Sequence, residues 1–519
     1  MIRITLSLFA LLLATSLNSF AERPNILLIL ADDMGYSDLG CFGSEIDTPH
    51  LDRLAANGLR MRQFYNSGKC EPTRASLMSG QYWHDTGLGV RRGPTLGEVM
   101  REAGYRTYAL GKWHLRGNPY ERGFDRYFGH LSGGTDFFIG NNSFRLDDAL
   151  WPRPEDFYAT VAYTDFAIDF LEEGRKENPD KPFFMYLAHT APHAPLQALE
   201  EDIAPFRERY KVGWDVLYQQ RIQRQKELGI MEHHWPVPER PDAIPAWEDL
   251  TEAGRAFEAE RMAVYAAMVY RMDKGIGRIL EKLEEWSELD DTLVIFLSDN
   301  GASPFDRVRR GTVGKPGSKF NTGLGWAWLS NAPFRHYKRN QHQGGACTSL
   351  VASWPKGISH PGSISDQKGH IVDFMSTFID LGGGSYPQEF AGERLKPLPG
   401  KTLDSVFKGH LREPHNALYL HLFDNWAIIE KDYKLVSAYG WPMELYNISN
   451  DRAEVLNLVS EKPKLAARLQ GKFDAWFAAR NGKLRHNGDD HQYYHLESGD
   501  LSPLGGTTGV NLHKEATAQ

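Results

Sequence analysis

A chain of 519 residues, 41% of them hydrophobic and 24% charged, fits one large α/β domain with an appendage, or two to three domains. That composition excludes intrinsic disorder, collagen and coiled coil. Lys and Arg number 59 against 67 Asp and Glu, a formal charge of −8, and there is no long basic run. This argues against a dedicated nucleic-acid binder and leaves room for a local anion pocket.

Arg3, an apolar run over residues 4–17 and the small-residue end Ser19-Phe20-Ala21 predict a secretory signal peptide over residues 1–21. The run is short for a bilayer span, and no later stretch reaches 18 apolar residues. The expectation is an exported protein, periplasmic or secreted, with no stable membrane anchor. Three cysteines, Cys41, Cys70 and Cys347, are too few for a disulfide scaffold, and their number is odd. Whether Cys41 and Cys347 pair is left open. A free or chemically altered thiol must be accounted for.

Four apolar runs end in polar clusters. Residues 25–30 lead into Asp32-Asp33, 105–110 into Lys112 and His114, 183–187 into His189 and His193, and 293–297 into Asp299-Asn300. Strands alternating with helical patterns predict an α/β sheet, and ligands of such sheets bind at the carboxyl ends of strands. One convergent polar site is therefore expected. Between 200 and 250 the chain is polar and proline-punctuated, which reads as an insertion or a lid-like excursion. Residues 257–283 carry apolar side chains at three and four residue spacing, a core helix. Beyond Pro397-Leu398-Pro399-Gly400 come strands near 417–422, 426–429 and 433–436 and a helix over 463–479. This gives a division into residues 22–396, a catalytic domain, and 397–519, a smaller α+β domain with a tail.

Two constellations carry chemistry. Asp32, Asp33, Asp299 and Asn300 form an all-oxygen set that suits Ca²⁺ or Mg²⁺ better than Zn²⁺. Taken singly, each Asp could equally be a turn or helix cap. The second is Cys70-Glu71-Pro72-Thr73-Arg74, running to Gly80. Pro72 suits the first turn of a helix and Gly80 its end, so Cys70 would sit at a helix N-terminus with Arg74 one turn away. A buried structural cysteine is the alternative.

These segments resemble the formylglycine-dependent sulfatase family of the alkaline-phosphatase-like superfamily. The likeness lies in Arg23-Pro24-Asn25 through Asp32-Asp33-Met34-Gly35-Tyr36, in Cys70-x-Pro72-x-Arg74 and in Gly111-Lys112-Trp113-His114. It continues through Ala191-Pro192-His193, Ser298-Asp299-Asn300-Gly301 and the 331–338 segment ending in Lys338, and reaches Trp441-Pro442-Met443-Glu444-Leu445-Tyr446-Asn447. The resemblance implies a large mixed sheet sandwiched by helices, and Cys70 converted to formylglycine (3-oxoalanine) by a separate maturation enzyme. It implies a cation, Ca²⁺ before Mg²⁺, held by Asp32, Asp33, Asp299, Asn300 and residue 70. Catalytic roles fall to Cys70, Arg74, Lys112, His114, His193 and Lys338, acting on aryl or carbohydrate sulfates. A phosphodiesterase or phosphonate monoester hydrolase of the same superfamily is the alternative, and a non-catalytic binding protein on this fold is a third reading. Gln343 stands where the family often has Glu, and Arg335 and His336, flanking Lys338, are candidate pocket residues. Phe320, Trp326 and Trp328 either stack on a substrate ring or pack within their loop.

Overall fold

The computed structural model describes residues 23–306 and 309–482. The expected signal peptide and most of the tail lie outside the described residues. Strands β1 (Asn25–Asp32), β2 (Leu59–Tyr65), β3 (Arg106–Lys112), β4 (Arg126–His130), β5 (Phe144–Leu146) and β6 (Ala149–Leu150) come first. Then follow β7 (Phe183–Pro192), β8 (Thr292–Ser298), β9 (Cys347–Ser353), β10 (Ser363–Ser365) and β11 (Gly369–His370). Together they build one mixed sheet in the order β10-β2-β9-β8-β1-β7-β3-β4-β5-β6, with β11 beside β2.

The central strands β8, β1, β7 and β3 are mutually parallel, so their carboxyl ends emerge on one edge. Both faces of these strands are covered. Leu27, Ile29, Met185, Leu187 and Phe296 point to one apolar layer, and Ile26, Leu28, Leu30, Phe184 and Leu297 to the other. A strand buried on both faces has no polar alternation, which is why each reads as a plain apolar run. The helices Pro49–Ala56, Ala159–Glu177 and Glu252–Glu285 cover the first face. The helices Cys70–Ser79, Leu96–Glu102 and Asp373–Gly382 cover the second.

Two further sheets follow. β12 (Glu389–Phe390) and β13 (Glu393–Arg394) form a hairpin. β14 (Leu418–Leu422), β15 (Asn425–Glu430), β16 (Tyr433–Ser437) and β17 (Glu444–Asn447) form an antiparallel meander. On one face Trp426 and Ile428 meet the helix Pro463–Ala478 through Phe473, whose ring stacks on Trp426 at 4.4 Å. Ala427 and Ile429, on the other face, join the main core. The mixed α/β sheet and the small antiparallel sheet are as the sequence leads one to expect.

The excursion over residues 200–250 is not lid-like. Trp214, Leu217, Tyr218 and Ile222 of its helix Trp214–Glu227 are buried in the main core. Part of its polar appearance comes from residues that pair with the rest of the fold. Buried Arg221 bonds Glu45 and Asp38 at 2.8 Å each, and Asp38 also accepts from Tyr265 at 2.6 Å. Arg221→Ala is expected to destabilise the fold by about 3–5 kcal/mol, because Asp38 is left as an uncompensated buried charge. Denaturant unfolding of both proteins measures it; a mobile lid would show no such loss. Trp326 and Trp328 also pack rather than face solvent. Trp326 lies edge-on to Trp214, and Trp328 stacks on Tyr218 at 4.0 Å.

Candidate active site

The four parallel strand ends deliver the site. β1 ends at Asp32, and Asp33 turns away in a left-handed conformation at φ +64°. β3 ends at Lys112, and two residues on His114 adopts φ +54°. Non-glycine residues in that region cost local energy and concentrate at functional sites. β7 leads to His193, and β8 to Asp299-Asn300. The helix Cys70–Ser79 begins at Cys70 and closes at Gly80 with φ +66°, as its sequence demands.

The carboxylates and cations interlock. Lys112 Nζ donates to Asp32 Oδ2 at 2.6 Å, and Lys338 Nζ to Asp33 Oδ1 at 2.5 Å. Arg74 holds Asp299 Oδ2 through Nε at 3.0 Å and Nη2 at 2.9 Å, and donates to the Lys112 carbonyl at 2.7 Å. Asn300 Nδ2 donates to Asp33 Oδ1 at 2.8 Å. His193 Nε2 lies 3.6 Å from Asp33 Oδ2. Ligand atoms of Asp32, Cys70 and Asp299 lie within 4.8 Å of one another, as do those of Asp32, Asp33 and His193. All ten of the residues singled out in the sequence, from Asp32 to Lys338, thus meet in one place.

The electrostatics fit a cation. Burial alone would raise Asp32 and Asp33, but Lys112 and Lys338 outweigh it and hold both carboxyls below the usual range. Burial, then the charge on Asp32, pushes Asp299 up to about 7. Three buried carboxyls of which one resists ionisation describe a site short of positive charge. Asp32 Oδ1 and Asn300 Oδ1 are buried without a hydrogen-bond partner. Two orphaned oxygens beside two further carboxylates match the oxygen donors of a hard divalent ion. Burial, then Lys112 and Arg74, pushes His114 down to about 2, and burial lowers His193. Both imidazoles are neutral near pH 7, while Lys338 is held above the ordinary lysine range because Asp33 and Asp32 outweigh its burial.

Some supporting residues were not legible in the sequence. The loop after β4 brings Gly133 and Gly134 against the two site histidines. A Cβ on Gly133 would sit 2.6 Å from His114 Nε2, and one on Gly134 3.5 Å from His193 Cε1. Gly133→Ala is expected to displace the His114 ring and lower kcat/KM about 10–100-fold with an unfolding midpoint close to wild type; steady-state kinetics and thermal melts check it. His130 Nε2 meets Thr190 Oγ1 at 2.8 Å, and Tyr186 OH accepts from Arg74 at 3.3 Å. A glycine pair after a short strand was the only trace of this loop.

Lys338 owes its position to close backbone packing. A Cβ on Gly344 would lie 2.2 Å from the His336 carbonyl oxygen, and one on Gly345 2.2 Å from that of Asn340. Gln343 suits its surroundings for an electrostatic reason. Buried Lys434 pairs with Glu454 at 2.7 Å and also donates to Gln343 Oε1 at 3.3 Å. Glu454 in turn accepts the Gln343 N–H at 2.7 Å. A second carboxylate beside Glu454 would raise the charge cost of the cluster. Arg335 does not line the pocket: it bonds Tyr446 OH at 3.0 Å and the Glu454 carbonyl at 2.6 Å. His336 is buried against His342, ring centroids 4.0 Å apart. Cys41, Cys70 and Cys347 are buried and form no disulfide.

A family profile described as Sulfatase matches residues 24–384, and one described as N-sulphoglucosamine sulphohydrolase, C-terminal, matches residues 334–476. The chain is 35% identical to an arylsulfatase of Klebsiella aerogenes over 433 residues, covering 74% of this chain and 92% of that one. It is 27% identical to an N-acetylglucosamine-6-O-sulfatase of Bacteroides thetaiotaomicron, covering 87% of this chain and 86% of that protein. The crystal structure of Ps i-CgsB superimposes with a TM-score of 0.67 at 25% identity, covering 94% of this chain and all of that one.

Proposed function

The chain belongs to the sulfatase family and is a sulfuric ester hydrolase of the arylsulfatase type; from that premise we propose that it works through a formylglycine at position 70 and a Ca²⁺ ion. The observation that carries this reading is the placement of Cys70. It starts a buried helix, within 4.8 Å of carboxylate oxygens of Asp32 and Asp299. Its helix also carries Arg74, and both site lysines stand on the neighbouring carboxylates. A thiol has no evident task there, whereas a hydrated aldehyde does.

Formylglycine, made from Cys70 by a separate maturation enzyme, would supply as its hydrate a geminal diol, with one hydroxyl for attack on sulfur and one for expulsion of sulfate. Asp32, Asp33, Asp299, Asn300 and residue 70 would hold Ca²⁺, which would supply Lewis-acid polarisation. The chain's own residues do the rest. Arg74 orients the side chain at 70. Lys112 and Lys338 neutralise charge on the transferring sulfuryl group as preorganised cations. His114, kept neutral, accepts the proton that lets the aldehyde re-form. Lys338, kept charged beside Asp33, protonates the departing oxygen, and His193, on the same carboxylate, hydrogen-bonds that oxygen through its ring N–H. Sulfate esters of sugars are the proposed physiological substrates. Ps i-CgsB has been solved with a neocarrahexaose, and another neighbour, BT4656, with D-glucosamine-2-N,6-O-disulfate, at TM-scores of 0.67 and 0.63.

We also place a catalytic domain over residues 22–396 and a smaller domain over 397–519, with export directed by residues 1–21. No helix among the described residues is long and apolar enough to cross a membrane. Two measurements test the reading. Release of inorganic sulfate from 4-nitrophenyl sulfate and from sulfated monosaccharides should exceed phosphodiester turnover; the reverse would make the chain a phosphoryl hydrolase. Dialysis against a chelator should abolish turnover, and Ca²⁺ should restore it; full activity in the metal-free protein would remove the ion from the account.

A further inference from the structure

One basic surface has no part in the reaction above. A cavity of about 790 Å³ opens beside His114. Its wall carries Arg91, Arg92 and Arg116, and its lining includes Leu88, Leu115 and Leu131. All three arginines are exposed. Among the described residues Arg91 and Arg116 have no ion-pair partner, and the Arg92 guanidinium donates to the His84 carbonyl at 3.5 Å. Glu71, next to Cys70 in the chain, is the one carboxylate on the lining.

Three guanidinium groups gathered against a single carboxylate repel one another, and an anion relieves that repulsion. A guanidinium fork matches the oxygens of a sulfate or a carboxylate in paired hydrogen bonds. The leucines offer an apolar surface of the kind that the C–H face of a sugar ring covers. A neutral aryl group would leave the arginines unused. Continuity decides the assignment, because His114 belongs both to this cavity and to the reacting centre. A molecule with its ester at residue 70 that runs past His114 would meet the arginines.

We propose that this cavity binds a second anionic group, a further sulfate or a carboxylate, on a saccharide whose sulfate ester lies at residue 70. The proposal rests on the sulfate-ester reading of the adjoining site and narrows the substrate class to polyanionic saccharides. Heparin-derived disaccharides carrying one, two or three sulfates serve as the probe, with binding to the full-length protein measured by calorimetry. Affinity for the wild type should rise about tenfold per added sulfate. An Arg91→Ala/Arg116→Ala variant with a wild-type unfolding midpoint should lose most of that rise. Arg116→Lys, keeping the charge without the fork, should fall between them. No rise in the wild type overturns the proposal, as does a rise that persists in the double variant. Binding that follows the prediction in a protein releasing sulfate from no ester would uphold the cavity and sink the reaction.

Discussion

Cys70→Ala should abolish sulfate-ester hydrolysis, with kcat lower by about 10⁴-fold or more, the scale on which loss of a covalent nucleophile acts. The position is chemical rather than structural. Cys70 is buried at the start of its helix, yet it faces carboxylate oxygens of Asp32 and Asp299 rather than an apolar layer. Its neighbours Ala75, Leu77 and Met78 supply the helix's core contacts. Removing one sulfur from such a polar site should cost about 1 kcal/mol of stability or less, well below what a core truncation costs. A variant that is inactive but melts like the wild type is the expected result; sulfate release and thermal unfolding on one preparation provide both readings. Retained activity would sink the nucleophile assignment.

Arg74→Ala should lower kcat/KM by about 10³-fold and destabilise the fold by about 3–5 kcal/mol. Arg74 is wholly buried and joins Asp299, the Lys112 carbonyl and Tyr186. It lies one turn from residue 70, so its loss releases the side chain it orients. The loss also takes a counter-charge from Asp299, which burial and the charge on Asp32 already push up to about 7. Protonation of Asp299 should then extend to higher pH and weaken a cation ligand. Arg74→Lys keeps the charge but not the fork and should recover stability more than turnover. Kinetics and denaturant unfolding separate the two effects; equal, small losses in both variants would reduce Arg74 to an ordinary buried ion pair.

The legible parts of this fold share a physical cause. β1, β3, β7 and β8 are buried on both faces, so they stand out as apolar runs, and their polar ends mark one edge of a parallel sheet. Glu252–Glu285 is equally plain because its long apolar stripe faces one layer. Short strands at the ends of the sheet, such as β5, β6, β10 and β11, carry two or three residues each and leave no periodic signal. The 200–250 segment misleads because Arg221 looks like surface and is buried only through partners 176 and 183 positions away. The same holds for Gln343, whose neighbours Lys434 and Glu454 lie 91 and 111 positions further along the chain. Gly133 acquires meaning only once the His114 ring is seen against it.

The central claim is a covalent change at one residue, so mass decides it. Protein made in a host with a maturation enzyme, cut with trypsin, yields the peptide of residues 70–74. Conversion of Cys70 to formylglycine lowers that peptide's mass by about 18 Da, and the account predicts the lowered mass in the active fraction. An unshifted peptide in active protein would contradict it and leave a plain thiol among the carboxylates.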